Sequence, residues 1–164
     1  MKKQIFALCL LPISVLSAME DKLEKYKKEL QSKNQYEKNL LIVQAAGKGK
    51  IPKLQVLLEL GADICKDSQK RYNNTPLHEA CKHGHEDCIR FLLENGAYHS
   101  SMLRDKSTPL HVASVLGNLT CVNILLNAGA AYDARDSVLY TPLHRALEKN
   151  HKACVRRLLS AESH

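Results

Sequence analysis

Residues Thr75–Ala80 have the sequence TPLHEA, and the pattern returns as TPLHVA at Thr108–Ala113 and as TPLHRA at Thr141–Ala146. The spacing is 33 residues both times. A cysteine, an aliphatic residue and a leucine pair recur in the same register: Cys88, Cys121 and Cys154; Ile89, Val122 and Val155; Leu92-Leu93, Leu125-Leu126 and Leu158-Leu159. A fixed period of this length indicates a repeat architecture in which each unit is one supersecondary element.

A weaker copy of the unit lies upstream. Gly61-Ala62 matches Gly96-Ala97 at an offset of 35 residues, and Leu57-Leu58 and Gly49 then fall into register. This copy has Leu40–Val43, with the sequence LLIV, where the other three have TPLH. The chain is therefore expected to contain four units.

Each unit is predicted to form two short helices. Thr75 is a suitable N-cap whose hydroxyl accepts a backbone N–H bond, and Pro76 suits the first helical position because it has no N–H to leave unpaired. Gly84 is expected to end the first helix, and Gly96 the second, in the left-handed conformation. Between them Ile89 and the pair Leu92-Leu93 form an apolar stripe at i, i+3, i+4 spacing.

These motifs resemble the ankyrin repeat family over about residues 39–164, with repeats at about 39–71, 72–104, 105–137 and 138–164. The resemblance implies an all-α solenoid of stacked helix-turn-helix units with β-hairpin-like finger loops. It also implies that His78, His111 and His144 make structural hydrogen bonds between neighbouring units and are not catalytic. Asn150 stands where units 2 and 3 have Gly, and Asn tolerates the left-handed conformation.

The two ends of the stack are expected to differ. Residues 19–38 are predicted to be a helical capping segment with Leu23, Tyr26 and Leu30 on one side. At the other end we expect nothing to cover Leu158 and Leu159, so the fourth unit should fray first in hydrogen exchange.

The first eighteen residues have the zones of a secretory signal peptide. Met1–Lys3 is basic, Ile5–Val15 is nearly all apolar, and Val15–Ala18 offers small residues for cleavage. The apolar stretch is too short to span a bilayer as a stable helix. Once it is removed, no membrane span is expected in the chain. The prediction is a secreted or periplasmic protein. Cytoplasmic retention, with this stretch as a helix packed on the domain, is the alternative.

Charge and composition fit a single domain of 164 residues that is 45% hydrophobic. The formal net charge is +7, and without Lys2 and Lys3 it falls to +5, with 22 basic residues against 17 acidic ones. No run of five like charges occurs. Binding of nucleic acid or an anionic surface is therefore an alternative hypothesis and not the leading one.

Signatures of catalysis and metal binding are weak. The sequence has no G-x-S-x-G, H-E-x-x-H or phosphate-loop motif, so neither an enzyme nor a cofactor is predicted. Cys81, His83, His85 and Cys88 have zinc-ligand types, but positions 81 and 83 lie on different faces of a helix, so no metal site is predicted. The repeated cysteines are expected to be small buried side chains, and Cys65 an exposed thiol. A periplasmic thiol- or metal-handling protein that uses Cys65, Cys81 and His83 is the remaining alternative.

The resemblance implies a non-enzymatic protein-protein interaction module that uses finger tips and the concave face of the first helices. The partner is another protein, the chain is expected to be a monomer, and a bacterial effector directed at a host is one version of this hypothesis. An apolar anchor at Leu139, which stands where the family usually has Gly, is one possibility, although folding back onto the core is commoner. The predicted contact residues are Arg71, Tyr72, Asn73, Arg104, Asp105, Lys106, Leu139 and Tyr140 in the fingers, and Glu79, Lys82, His83, Val112, Val115, Arg145 and Lys149 on the helices.

Overall fold

The computed structural model describes residues 21–66 and 74–162, apart from 22, 23 and 26. Those ranges contain helices and no strand, which confirms the all-α prediction. The predicted signal peptide and the finger residues Arg71–Asn73 lie outside the described residues. The repeat units are four helix pairs: α1 (Gln35–Gly47) with α2 (Ile51–Glu59), α3 (Pro76–His83) with α4 (Glu86–Glu94), α5 (Pro109–Val115) with α6 (Leu119–Asn127), and α7 (Pro142–Glu148) with α8 (Lys152–Glu162).

The four pairs stack in sequence order. The first helices α1, α3, α5 and α7 form one layer, each in contact with the next, and the second helices α2, α4, α6 and α8 form the other. The leucine stripes of the second helices lie between the layers, where Leu57, Leu92, Leu125 and Leu158 are all buried in one continuous core. Stability is then built from the interfaces between neighbouring units.

The helix starts follow the Thr-Pro pattern, with a different use of the threonine hydroxyl. Thr75 is the extended N-cap of α3 and Pro76 is its first residue, but the Thr75 hydroxyl does not cap the backbone. It bonds the Nδ1 atom of His78 at 2.9 Å, and Thr108 makes the same bond to His111. The expected backbone cap is therefore absent at Thr75, whereas the Thr141 hydroxyl both bonds His144 Nδ1 at 2.8 Å and accepts from the His144 amide at 3.4 Å.

The helix ends are as predicted. Gly84 closes α3 in the left-handed region at φ 69°, and Gly96 follows α4 at φ 89°. Asn150 takes the left-handed position in unit 4 at φ 58°. Its side chain is short and polar, which makes this conformation less costly than it is for other residues with a Cβ.

His78 and His111 join neighbouring units, as the resemblance implies, whereas the exposed His144 bonds Thr141 of its own unit and makes no interunit bond within the described residues. The Nε2 atom of His78 lies 3.2 Å from the Ser107 carbonyl, and that of His111 lies 3.0 Å from the Tyr140 carbonyl. Because a carbonyl only accepts, Nε2 carries the proton in both rings and Nδ1 accepts from the threonine hydroxyl. Burial lowers the pKa of His78 to about 4 and also lowers the pKa of His111. Both rings are therefore neutral at pH 7.

The N-terminal cap is two helical pieces and not one. Residues 27–31 are helical and bury Leu30, but the helix breaks before Asn34. The Asn34 side chain accepts from the Glu37 amide at 2.9 Å, while the Glu37 carboxylate accepts from the Asn34 amide at 3.1 Å. This reciprocal capping box starts α1 at Gln35.

The C-terminal unit differs from the expectation at one leucine. Leu158 is buried, whereas Leu159 is 47% exposed. The expectation that both are uncovered is therefore wrong for Leu158, which belongs to the buried core.

Candidate binding surface

Two fingers are described in full: finger 2 (residues 103–107) and finger 3 (residues 136–140). In finger 2 the Leu103 amide donates to the Ser107 carbonyl at 2.9 Å, and in finger 3 the Asp136 amide donates to the Tyr140 carbonyl at 3.0 Å. Each finger is thus a tight hairpin-like turn. The Ser137 amide also donates to the Asp105 carbonyl at 2.8 Å, which holds the two fingers side by side.

Finger 3 ends in an exposed apolar patch. Val138, Leu139 and Tyr140, which we call the fingertip patch, are 56%, 66% and 41% exposed. Leu139 does not fold back onto the core, so the commoner outcome considered for it is wrong. The reason is local, because Leu139 has φ 65° and sits at the apex of a turn whose backbone faces outward.

A buried carboxylate holds the fingertip patch in place. One oxygen of Asp136 accepts from the amides of Val138 and Tyr140 at 3.0 Å each, and the other accepts from Arg145 at 2.6 and 2.8 Å. Burial alone would raise the pKa of Asp136. The hydrogen bonds from the Tyr140 amide and from Arg145 outweigh burial and hold that pKa below its ordinary value.

The Arg145 side chain connects this network to the concave face. Its guanidinium carbon lies 4.9 Å from the centre of the Tyr140 ring, a cation–π arrangement. Arg145 also bonds Glu148 at 3.0 Å, and Glu148 in turn bonds Lys149 at 3.1 Å. These contacts fix the Tyr140 ring, so a ligand loses little side-chain entropy in using it.

Finger 2 contributes charge next to the fingertip patch. Arg104, Asp105 and Lys106 are all exposed. Lys106 occupies the same repeat position as Leu139 and has nearly the same backbone, with φ 60°. The predicted contact residues of fingers 2 and 3 therefore lie on two neighbouring finger tips, of which the first is charged and the second is apolar.

The first helices supply the concave face. Glu79 on α3 pairs with Lys82 at 3.4 Å and with His83 at 3.3 Å, and it also accepts from the Asn74 side chain. On α5, Val112 and Val115 are half-buried. Polar groups on α3 thus flank an apolar strip on α5, and the Arg145 network flanks it on the other side.

Sequence reasoning missed Leu116 and Asp136. Leu116 is 49% exposed and has the same repeat position as His83 and Lys149, so the 33-residue register already indicated it. Asp136 accepts from the amide two residues ahead, as Asp105 does from the Ser107 amide. An aspartate at the start of such a turn is a sequence signal for this geometry.

The structure gives no support to the alternative of a thiol- or metal-handling site. Cys81 is buried, and burial raises its pKa well above the ordinary value. The His85 ring is bonded through Nε2 to the Gly47 carbonyl at 3.1 Å. No group of three or more metal-ligating side chains is assembled within the described ranges. Cys88, Cys121 and Cys154 are buried and Cys65 is exposed, as predicted.

Two further findings bear on function. A family model described as ankyrin repeats (3 copies) matches residues 15–102 and 98–164, which together include most of the chain. Among the described residues, no helix combines the length and hydropathy needed to cross a bilayer.

Proposed function

Because this chain belongs to the ankyrin repeat family, whose repeats are protein-protein interaction modules, we propose that it binds a partner protein through the fingertip patch and the adjoining concave face. The family is typically non-enzymatic, and the proposed role needs no chemistry. The partner is held by non-covalent contacts.

Leu139 is the observation that carries this proposal. A leucine with positive φ is unfavourable by about 1 to 2 kcal/mol relative to the ordinary backbone regions. Leu139 recovers little of this by packing, since two thirds of its surface is exposed. Burying such a side chain in a partner contributes about 1.5 to 3 kcal/mol, which explains its presence at a finger tip.

The surroundings of Leu139 are those of an interaction hot spot. Tyr140 and Arg145 are residue types enriched in such spots, and the Asp136 network holds both rigid. Val138 extends the apolar surface, and Arg104 and Lys106 border it with positive charge. Val112, Val115 and Leu116 continue the contact along the concave face.

Site-specific photocrosslinking tests this function. Val138 is replaced by benzoylphenylalanine, and a control carries the same group at Arg90, an exposed residue of α4 in the other helix layer. We expect a discrete crosslinked partner from position 138 and none from position 90. Equal crosslinking from both positions would rule out the proposed surface.

We further propose that the chain is exported from a bacterial cell and meets its partner in the periplasm or outside, with a host protein as one candidate. The basic start, the apolar stretch and the small residues before Met19 support this. The test fuses residues 1–25 to a reporter that is active only after export. Activity that survives replacement of Leu8 and Leu11 by Asp would contradict the proposal.

A further inference from the structure

Fingers 2 and 3 carry different chemistry at equivalent repeat positions. Finger 2 has Arg104, Asp105 and Lys106 at its tip, whereas finger 3 has the fingertip patch. Lys106 and Leu139 are one repeat apart and have nearly the same backbone, with φ 60° and 65°. Because the bond from the Ser137 amide to the Asp105 carbonyl joins the two fingers, their tips form one continuous surface. A segment that contacts Leu139 therefore lies beside a charged tip.

The tip of finger 2 presents positive charge to the solvent. Arg104 and Lys106 are exposed, and neither side chain makes an ion pair or a hydrogen bond with another described residue. The Asp105 carboxylate turns back into its own finger, where it accepts from the Ser107 amide at 3.0 Å. In finger 3 the one carboxylate, Asp136, is buried and already holds an ion pair. Two cations are thus left without a local counter-charge.

The remaining charges near the fingers offset one another. Asp133 and Arg135 have opposite signs and precede finger 3 by a few residues. On α7, Glu148 bonds both Arg145 and Lys149. Charges of opposite sign that are this close together largely cancel at distances beyond the Debye length, about 8 Å at physiological salt. Finger 2 therefore keeps an excess of positive charge, which favours carboxylates in whatever lies over it.

The stack sets the distance between the basic tip and the apolar tip. Packed helices lie about 8 to 10 Å apart, so equivalent positions of successive units, such as Lys106 and Leu139, are spaced by about 10 Å. Two turns of an α-helix rise about 11 Å and bring a side chain back to the same face. Same-face residues of a strand are spaced by about 7 or 13 Å, which fits less well. The spacing thus favours a helical segment.

The proposed function supplies the apolar anchor, and this inference rests on it. We propose that the partner segment is an α-helix whose acidic residues lie two turns away from the apolar residue that contacts Leu139. The apolar residue packs on the fingertip patch, and the carboxylates face Arg104 and Lys106. Exposed ion pairs contribute little to affinity one by one, so these pairs mainly select the partner and set its orientation.

Fluorescence anisotropy with three synthetic peptides tests the proposal. The first is a labelled helix of about 18 residues, which is about 27 Å long, with Leu at one end of one face and two Glu residues two turns away on that face. The second has Lys in place of both Glu residues. The third has the Glu pair moved by two residues, about 200° around the helix. We expect the first peptide to bind about fivefold more tightly than the others, with the preference fading at about 1 M salt.

Charge reversal in the protein identifies the residues. Arg104→Glu with Lys106→Glu should reverse the preference, so that the Lys peptide binds more tightly than the Glu peptide. Arg90→Glu with Arg156→Glu changes the net charge equally at exposed positions of the second helices and should leave the preference unchanged. Circular dichroism checks that both variants are folded. Reversal by both pairs of substitutions would overturn the proposal, because the preference would then come from net charge.

The anchor is tested separately from the charge. Leu139→Gly should weaken binding of the Glu peptide strongly. If it does so while the parent protein binds the Glu and Lys peptides equally, the acidic helix is disproved and the proposed binding surface stands. If the Glu peptide binds as tightly to Leu139→Gly as to the parent, the fingertip patch is not the anchor and both proposals fail. Equal binding of the shifted peptide, or no binding of any peptide, would also overturn the inference.

Discussion

Acidification should destabilise the stack through its two buried histidines. The unfolded chain binds a proton at His78 with a pKa near 6.5, whereas the folded chain does so only at about 4. Between these values the unfolded state binds more protons, so stability is complete above pH 6.5 and is lost as the pH falls toward 4. At about 1.4 kcal/mol per pKa unit, His78 accounts for about 3 kcal/mol.

His111 adds to this loss in the same direction, because burial lowers its pKa as well. The assay is urea unfolding followed by circular dichroism at several values from pH 7.5 to pH 4.5. In His78→Gln the amide can still donate to the Ser107 carbonyl, and the slope of stability against pH should become smaller. His144→Gln is the control, because it leaves both buried rings in place. Parallel pH profiles for the parent and His78→Gln would refute this account of the interunit hydrogen bond.

Three further outcomes follow from the packing. Gly117→Ala should cost clearly more stability than Gly129→Ala in thermal unfolding, because both have positive φ but only the Cβ at 117 would overlap the His151 ring; equal losses would contradict this. Asp136→Ala should cost about 3 kcal/mol, because it leaves the buried side of Arg145 unpaired, and an unchanged urea midpoint would disprove that role. Native protein should react with a thiol reagent rapidly at Cys65 and slowly at the buried cysteines, since burial raises the pKa of both Cys88 and Cys121 to about 11; uniform rates in native protein would exclude this.

The 33-residue register made most of the fold predictable. It placed Pro76, Gly84 and Asn150 at helix boundaries because these residues act through local backbone geometry. The break before Asn34 was not foreseen, although Asn34 and Glu37 are a recognisable capping pair once a helix start is sought there. The use of the Thr75 hydroxyl was also missed, because it depends on the orientation of a neighbouring ring.

The binding surface was less predictable, because exposure is a tertiary property. The register located Leu139 at a finger tip, but the sequence alone favoured a leucine folded onto the core. Its exposure follows from the positive φ, the hydrogen bonds of Asp136 and the bond between the two fingers. Leu116 was within reach of the register, whereas the contact of Arg145 with Tyr140 required the structure.

Glycine substitution at Leu139 tests most directly the claim that this residue is kept for binding at a cost in stability. Leu139→Gly removes both the strain and the anchor, while Lys106→Gly relieves the same strain in finger 2 and leaves the fingertip patch intact. Partner capture is measured for both variants alongside urea unfolding. The prediction is that each variant gains about 1 kcal/mol in stability, that Leu139→Gly loses the partner, and that Lys106→Gly, which removes a bordering charge but no part of the fingertip patch, weakens capture much less. Undiminished capture by a stabilised Leu139→Gly protein would contradict the claim.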